Sequence, residues 1–362
     1  MTTVLHVAAG NGYGGIERML VTMAATPHRL SQQFVVAFGG RLQRGLEAAG
    51  AAVHRLPSPR ASRPLMIWRA RRAFASVLDE VTPDAAIFHG AWPHAMFAAA
   101  ARAAGTSVGF WQHQPVSRPA WPDRWARRVR PDFVVCNSAF TQARPAFPDV
   151  PGQVIHCPVV EPPVVEPAER RAIRAAFGAQ DDDLVVLMAA RLERWKGHEV
   201  LLDAARMLRS VRVRVWMAGG VQRPGEVGHH DALVAASREL GGVVSLLGER
   251  DDVPTLMRLA DVYCQPNLKG EPFGIAIAEA MRAGLPCVVS AAGGAAELLD
   301  DTCAIITAPG DAPAVAAALQ WFVEEPLARA AMGRVAIERS SRLTDPVARL
   351  DELATLVAAR TA

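Results

Sequence analysis

The sequence predicts an α/β protein built from two doubly wound domains in tandem. Three observations predict it. The chain has 362 residues, too many for one ordinary core and the size of two average domains. Short apolar runs alternate with longer segments of helical period, the pattern of parallel strands joined by helices. The alternation is interrupted once, by the proline-rich stretch CPVVEPPVVEPAERR at 157–171, and then restarts.

In the first half, the apolar runs at 3–9, 33–38, 84–89, 106–111 and 132–136 read as buried strands. Helical period fills Pro64–Leu78 and Pro93–Ala103. The interruption has no amphipathic period and reads as a linker, centred on 161–168. Beyond it, strands are predicted at 184–189, 213–218, 243–246, 261–265 and 286–289. The last thirty residues read as helix, with Thr344 as N-cap, Pro346 in the first turn, and Val347, Leu350, Leu353 and Leu356 on the apolar face. The expected domains are 1–160 and 169–343, with the helix at 344–362 packing back on the first. Ligands of such sheets bind outside the carboxyl ends of the strands, so both domains are expected to offer those ends to one deep cleft.

Half of the residues are apolar (51%) and 21% are charged, which suits a globular chain with sizeable cores. The five cysteines, at 136, 157, 264, 287 and 303, show no C-x-x-C spacing and read as reduced thiols of a cytosolic protein. Met1 runs straight into a strand, so no signal peptide is expected. The longest charge-poor stretch, 85–101, is broken by His89, Gly90, Pro93 and His94, and is shorter than the roughly twenty residues of a membrane span. Charge is uneven. Residues 1–165 hold 17 arginines, no lysine and 9 acidic residues, a charge of +8, whereas the remainder carries −5. A basic first half points to something anionic, a phosphorylated acceptor or a lipid surface; solvated surface charge explains it as well.

The stretch TVLHVAAGNGYGGIERML, 3–20, spells G-x-G-x-x-G with Gly10, Gly12 and Gly15, between an apolar run and a helical pattern. That is the layout of a dinucleotide-binding turn, of a nicotinamide or flavin enzyme or of a loop that holds a different phosphate. A dinucleotide fold usually adds an acid at the end of the second strand for the ribose. Here AFGGRLQR, 37–44, has none. Arg41 could hold a 2′-phosphate, which keeps an NADP reading open.

The second half holds the more specific pattern. EPFGIAIAE, 271–279, sets Glu271 and Glu279 eight apart around a turn and a helix start. Helix is predicted over Ile275–Ala283, with Gly284 closing it and Pro286 just beyond. The N-terminus of that helix directs N–H groups and partial positive charge outward. Glu279, on a mostly apolar segment, needs hydroxyl or amide partners, and vicinal ribose hydroxyls would satisfy both oxygens. Upstream, Arg191 ends a strand and Lys196 precedes Gly197 and a helix. A planar fork and a point charge on one loop form a natural diphosphate clamp. The chain has 37 arginines and two lysines, Lys196 and Lys269, and both lysines fall in these loops.

With these segments in hand, the chain resembles glycosyltransferase family 4, a group of retaining enzymes with the GT-B fold. The resemblance covers nearly the whole chain: GGIER (14–18), WQHQ (111–114), CNSAFT (136–141), ARLERWKG (190–197) and EPFGIAIAEAMRAGLPCVVSAAGGAAEL (271–298). The E-x7-E segment is the specific part; the glycine loop alone is not. The resemblance implies a nucleotide sugar, UDP- or GDP-linked, as substrate, with no cofactor and no essential metal. It implies that Gly14 and Gly15 offer N–H groups to the distal phosphate, and that Arg191 and Lys196 neutralise the leaving diphosphate. Glu279 holds the ribose, and Glu271 meets a hydroxyl of the donor sugar. The N–H groups of Phe273, Gly274 and Ile275 face sugar and phosphates, His113 faces the sugar near the reacting carbon, and Gly248 lies near the base. The expected role is transfer to an acceptor hydroxyl in cell-surface glycan, glycolipid or glycoconjugate synthesis. Such an enzyme would be cytoplasmic or peripheral at the inner face of the membrane. A nucleotide-sugar epimerase or hydrolase, or a non-catalytic nucleotide-sugar-binding protein, is the alternative.

Several residues have plainer readings. His113 follows the apolar strand VGFW and could be a hydrogen-bonded core histidine. His89 and His94 flank another strand end, near where an acceptor would lie. His229 and His230 read as a solvent loop, Glu297 as a helix cap or part of the cleft floor, and Glu17 as a dipole-favouring residue. The acidic runs 181–183 and 251–252 read as solvated turns. WPDRWARRVR, 121–130, and RPLMIWRARR, 63–72, interleave tryptophan with arginine. They read as ordinary helices burying their tryptophans, or as an amphipathic face for anionic lipid. No nucleic-acid motif is found.

Overall fold

The computed structural model describes residues 2–59, 62–208, 212–290 and 293–361. The chain divides into two compact units. The first runs to Pro158 and takes in the chain from Thr344 onward; the second is Val159–Leu343.

The first unit is a parallel sheet of seven strands: β1 Thr3–Ala8, β2 Ser31–Val36, β3 Ala52–Arg55, β4 Ala85–His89, β5 Ser107–Gln112, β6 Phe133–Cys136 and β7 Gly152–Val154. Their order is β3-β2-β1-β4-β5-β6-β7. The chain builds outward from β1 on one side, then returns to start β4 on the other. The gap between β1 and β4 is therefore the topological switch point. β4, β5 and β6 are wholly or almost wholly buried, as parallel strands covered on both faces must be.

The second unit repeats the plan with β8 Leu184–Ala189, β9 Val213–Ala218, β10 Val244–Gly248, β11 Val262–Gln265, β12 Cys287–Ser290 and β13 Ala304–Thr307. The order β10-β9-β8-β11-β12-β13 puts its switch point between β8 and β11. The core on one face of this sheet is aliphatic, with Val186, Met188, Val215, Val262 and Val288 under Leu201, Leu319 and Phe322. All five cysteines are buried and unpaired.

Ten strands fall where the sequence places them, within two residues. β3, β7 and β13 are additional. All three lie at sheet edges and are three or four residues long, too short for an apolar period to register. The linker differs too. A helix begins at Pro167, inside the predicted 161–168 segment, with the proline in the first turn where its missing N–H is no loss. The residues before it are tied to the second unit by Arg258, which donates to Glu161 (2.7 Å) and the Pro162 carbonyl (3.1 Å). At the C-terminus the helices Pro326–Thr344 and Pro346–Thr361 break at Asp345. Asp345, not Thr344, is the cap: its carboxylate accepts the Ala348 N–H at 2.8 Å. Asp351 of the last helix pairs with His28 and Arg29 of the first unit. His229 and His230 lie on the helix Val227–Glu239 rather than in a loop, and His229 is buried against His198. The tryptophan-rich helices do not bury their tryptophans: Trp68, Trp121 and Trp125 are 55%, 41% and 44% exposed. Among the described residues no helix is long and apolar enough to cross a membrane.

One glycine fixes the loop after β8. Gly197 has φ +83°, and a Cβ there would fall 2.0 Å from the Pro266 carbonyl oxygen, so the loop lies directly on the chain leaving β11. Gly197→Ala should cost about 2–4 kcal/mol, combining left-handed strain with a backbone overlap. Gly228→Ala, in a helix with open space around it, should be neutral or stabilising by up to ~1 kcal/mol. Urea unfolding of the two variants checks the contrast.

Candidate active site

The chemistry-bearing side chains of each unit gather at the carboxyl ends of the strands that flank its switch point. In the second unit the centre is Glu271. Its Oε2 accepts three hydrogen bonds: from Lys196 Nζ at 2.6 Å, Gln265 Nε2 at 2.9 Å and Asn267 Nδ2 at 2.9 Å. The Lys196 and Glu271 side chains are 12% and 11% exposed. A carboxylate so enclosed would be costly without these partners. The donors are themselves held. Tyr263 hydroxyl donates to Gln265 Oε1 at 2.6 Å, which fixes the amide so that its NH₂ faces Glu271. Ser290 Oγ donates to the Asn267 carbonyl at 2.5 Å. Lys196 Nζ also stands 4.1 Å from the centre of the Trp195 ring.

The backbone closes around this carboxylate. Glu271 bridges to Gly293, and the Gly294 N–H donates to the Glu271 carbonyl at 2.6 Å. Gly293 leaves no room for a side chain, since a Cβ would stand 2.5 Å from that carbonyl oxygen. Phe273 is buried, Gly274 takes φ +93° as the N-cap, and the helix Ile275–Arg282 begins beside Glu271. Glu279 lies one turn into that helix, half-buried, and its charge acts on Tyr263. Burial, before the nearby carboxylates, holds the Tyr263 phenol protonated well above its ordinary range. Arg191 pairs with Glu193 at 3.0 Å. Gly248 ends β10 with φ +69° and open space on its Cβ side. Both predicted phosphate cations thus stand beside a carboxylate of the same chain. Tyr263, Gln265 and Asn267 were not picked out in the sequence, although their spacing of two sets them on one face of β11 and its continuation.

In the first unit, Gly14 is the N-cap of the helix Gly15–Ala25. Its N–H, expected to face a phosphate, is donated to Glu17 Oε2 at 2.9 Å. Glu17 is therefore a cap as well as a dipole-favouring residue, and the Gly14 N–H reaches a phosphate only when Glu17 releases it. Arg41 lies over the Tyr13 ring, 3.9 Å from its centre.

His113 stands at the end of a row of histidines. His6 Nδ1 meets His89 Nε2 at 3.0 Å, and His89 Nδ1 meets His113 Nε2 at 3.1 Å. Asn137 donates to the His113 carbonyl at 3.1 Å. Trp111 stacks on both His89 and His113. Burial lowers the pKa of His6 and of His113 to about 3, and holds His89 well below its ordinary value with help from both neighbours. All three rings are therefore neutral at physiological pH. His89 belongs to this row. His94 is fully buried among Phe88, Phe110 and Phe147. Both side chains are buried, at 4% and 0% exposure. The acidic runs meet arginines: Asp182 with Arg212, Asp183 with Arg214, and Asp252 with Arg250.

Buried neutral histidines make the fold acid-sensitive. Burial brings the pKa of His94 down to about 3. The unfolded chain then takes up the proton first as pH falls below about 6.5, so the stability is full above that value and is lost toward pH 3. At pH 5 the loss for one such group is about 2 kcal/mol. His94→Phe should flatten the dependence of the melting temperature on pH between 8 and 5.

Comparison with known proteins follows the two units. A family described as Glycosyl transferases group 1 matches residues 169–339, and one described as Glycosyltransferase Family 4 matches residues 13–159. D-inositol 3-phosphate glycosyltransferases of Mycobacterium bovis and Mycobacterium tuberculosis are 38% identical over 145 residues. That match spans 39% of this chain and only 29% of theirs. Among solved structures, Anabaena Alr3699/HepE in complex with UDP and glucose matches with TM-score 0.86 and 23% identity, over 99% of this chain and 100% of that one. A glycosyltransferase from Rickettsia africae gives 0.82 and 17%, over 99% and 98%. Sucrose-phosphate synthase from Thermosynechococcus elongatus gives 0.77 and 18%, over 98% of each. The fold is GT-B, two Rossmann-like domains, and the chain belongs to glycosyltransferase family 4.

Proposed function

We propose that the protein is a retaining glycosyltransferase that moves a sugar from a nucleotide diphosphate sugar to an acceptor hydroxyl. The observation that carries the reading is the Glu271 carboxylate with Lys196, Gln265 and Asn267 fixed around it. Three donors converge on Oε2, which orients the group to accept a donor-sugar hydroxyl with Oε1. So engaged, Glu271 is a poor covalent nucleophile, in keeping with attack from the face the leaving group departs. Lys196 spends one of its three N–H bonds on Glu271 and keeps two for phosphate oxygens. With Arg191 and the first N–H groups of the helix at Ile275, it stabilises the charge that builds on the leaving diphosphate. These cations do the work a metal would do elsewhere, so no metal is required. Glu279 holds the ribose, Gly248 lies by the base, and His113 contacts the donor sugar. The Anabaena neighbour was solved with UDP and with UDP-glucose, which favours a uridine donor over a guanosine one. The charge of +8 over 1–165 suits an acceptor bearing a phosphate or another anion, as the name of the mycobacterial relatives also describes.

The working place we assign is the inner face of a membrane, held peripherally. Leu65, Trp68, Trp121 and Trp125 are all more than 40% exposed. Trp68 and Trp125 share a groove of about 250 Å³ with Pro64, Ile67, Arg71 and Met96. Arg72 and Arg128 lie against the two tryptophan rings, 5.5 and 4.5 Å from their centres. Apolar rings among arginines are what an anionic lipid surface takes up.

Thermal shifts with UDP, GDP, ADP, CMP and NADP, run without metal, test the donor. A ligand at a hundred times its Kd adds about 2.7 kcal/mol, so UDP should raise the melting point by several degrees and NADP should not. Stabilisation by NADP alone would overturn the reading in favour of Arg41. Glu279→Ala should weaken UDP binding about tenfold or more, and Lys196→Ala should lower kcat at least as much as it weakens binding. Full activity of both variants would refute the site. For the membrane, flotation with phosphatidylglycerol vesicles should carry the protein at low salt and release it at high salt. A Trp68→Ser/Trp125→Ser variant should stay behind at either salt concentration.

A further inference from the structure

The loop that leaves β8 carries a carboxylate between its two phosphate cations. Glu193 follows Arg191 and precedes Lys196 in the segment ARLERWKG. Its Oε1 pairs with Arg191 Nη1 at 3.0 Å, and its Oε2 accepts the Trp195 indole N–H at 2.9 Å. The Trp195 ring in turn has Lys196 Nζ 4.1 Å from its centre. Lys196 Nζ donates to Glu271 Oε2 at 2.6 Å. The side chains of Arg191, Glu193, Trp195, Lys196 and Glu271 thus run in series. Among the described residues Arg191 has no ion-pair partner besides Glu193.

The main chain holds the carboxylate and the indole in place. The Glu193 N–H donates to the Arg191 carbonyl at 2.7 Å. The Glu193 carbonyl accepts the Lys196 N–H at 2.8 Å, around the short 3-10 turn Arg194–Lys196. The Leu268 N–H, beyond β11, donates to the Trp195 carbonyl at 2.7 Å. The two cations sit at the ends of long side chains, which lose much rotamer freedom when they grip a phosphate. Glu193 takes one end of the Arg191 fork and leaves the remaining N–H groups for a ligand. Arg191 is balanced by Glu193 and Lys196 by Glu271, so these four groups together carry no net charge. Affinity for a diphosphate then depends on how well the cations are aimed rather than on an excess of charge.

We propose that Glu193 and Trp195 are positioning residues of the diphosphate clamp. Glu193 aims Arg191, and the indole that Glu193 fixes confines Lys196, so both cations are ordered before the ligand arrives. The proposal rests on the function proposed above, which puts a diphosphate at Arg191 and Lys196. Neither positioning residue touches the ligand. Ordering the cations beforehand removes part of the entropy cost of binding, and a nucleoside without phosphates gains nothing from it. Arg194, within the same turn, is two-thirds exposed and pairs outward with Glu199 at 2.8 Å. It has no part in the clamp.

The experiment measures equilibrium binding of UDP and of uridine, with GDP and guanosine as a second pair, to the full chain and four variants. The wild type should bind one diphosphate more tightly than its nucleoside. Glu193→Ala should weaken that diphosphate roughly tenfold and leave the nucleoside unchanged. Glu193→Gln keeps an acceptor for the indole and loses the ion pair, whereas Trp195→Phe keeps a ring beside Lys196 and loses the N–H that holds Glu193. Each of these two should weaken the diphosphate by about threefold. Arg194→Ala is the control and should bind as the wild type does. Unchanged diphosphate binding by Glu193→Ala overturns the proposal. A loss shared equally by diphosphate and nucleoside shows a packing role only and overturns it too. Tighter diphosphate binding by Glu193→Gln would mean that Glu193 competes with phosphate for Arg191, and overturns it as well. If the wild type favours neither diphosphate over its nucleoside, the diphosphate reading of the site fails first and the proposal falls with it.

Discussion

The constraint on which the second unit depends is the cost of enclosing one carboxylate. Glu271 is nine-tenths buried, and in such surroundings each missing donor is felt. The three donors on Oε2 come from the loop after β8 and from the end and continuation of β11. These strands are neighbours only because the sheet reverses its building direction between them. The glycines follow from the same requirement. Gly197 lets one loop lie on the Pro266 carbonyl, and Gly293 lets another lie on the backbone of Glu271 itself. A residue with a side chain at either place would push apart the groups that the carboxylate needs. Tyr263 and Ser290 add nothing to the charge, but they hold the amide and the backbone that orient the donors.

The first unit solves a related problem by the opposite means. At its switch point it holds histidines rather than charges, and burial keeps them neutral. His6, His89 and His113 satisfy one another edge to edge, and Trp111 and Phe34 stack against the row. A neutral ring costs less to bury than a charged one, and the two ring-to-ring bonds offset part of that cost. One unit thus presents fixed charge at its strand ends, and the other a row of neutral rings.

The division of charge has a physical counterpart at the surface. Two arginines of the first unit, Arg72 and Arg128, lie against exposed tryptophans, and the acidic runs of the second unit are matched by local arginines. Residues 1–165 nonetheless carry 17 arginines against 9 acidic residues, so internal pairing leaves a net positive charge there.

The sequence alone determined the two tandem parallel sheets, because alternation of buried strand and amphipathic helix is a local property of the chain. It also determined the E-x7-E segment, the cation loop at 191–196 and the glycine-rich helix start, because each lies within a single strand-to-helix connection. The edge strands β3, β7 and β13 escaped it, being too short to show a period. Whether the tryptophans of 63–72 and 121–130 are buried or exposed also escaped it, since nothing in a helical period tells which face finds a neighbour. Only the tertiary structure decided what each functional group touches. Lys196 and Glu271 are 75 residues apart, and the row joins His6 of β1, His89 of β4 and His113 just beyond β5. Register across a parallel sheet is set by the packing of the whole domain and is written in no one segment. A shift of one residue in any of these strands would turn its functional side chain to the other face.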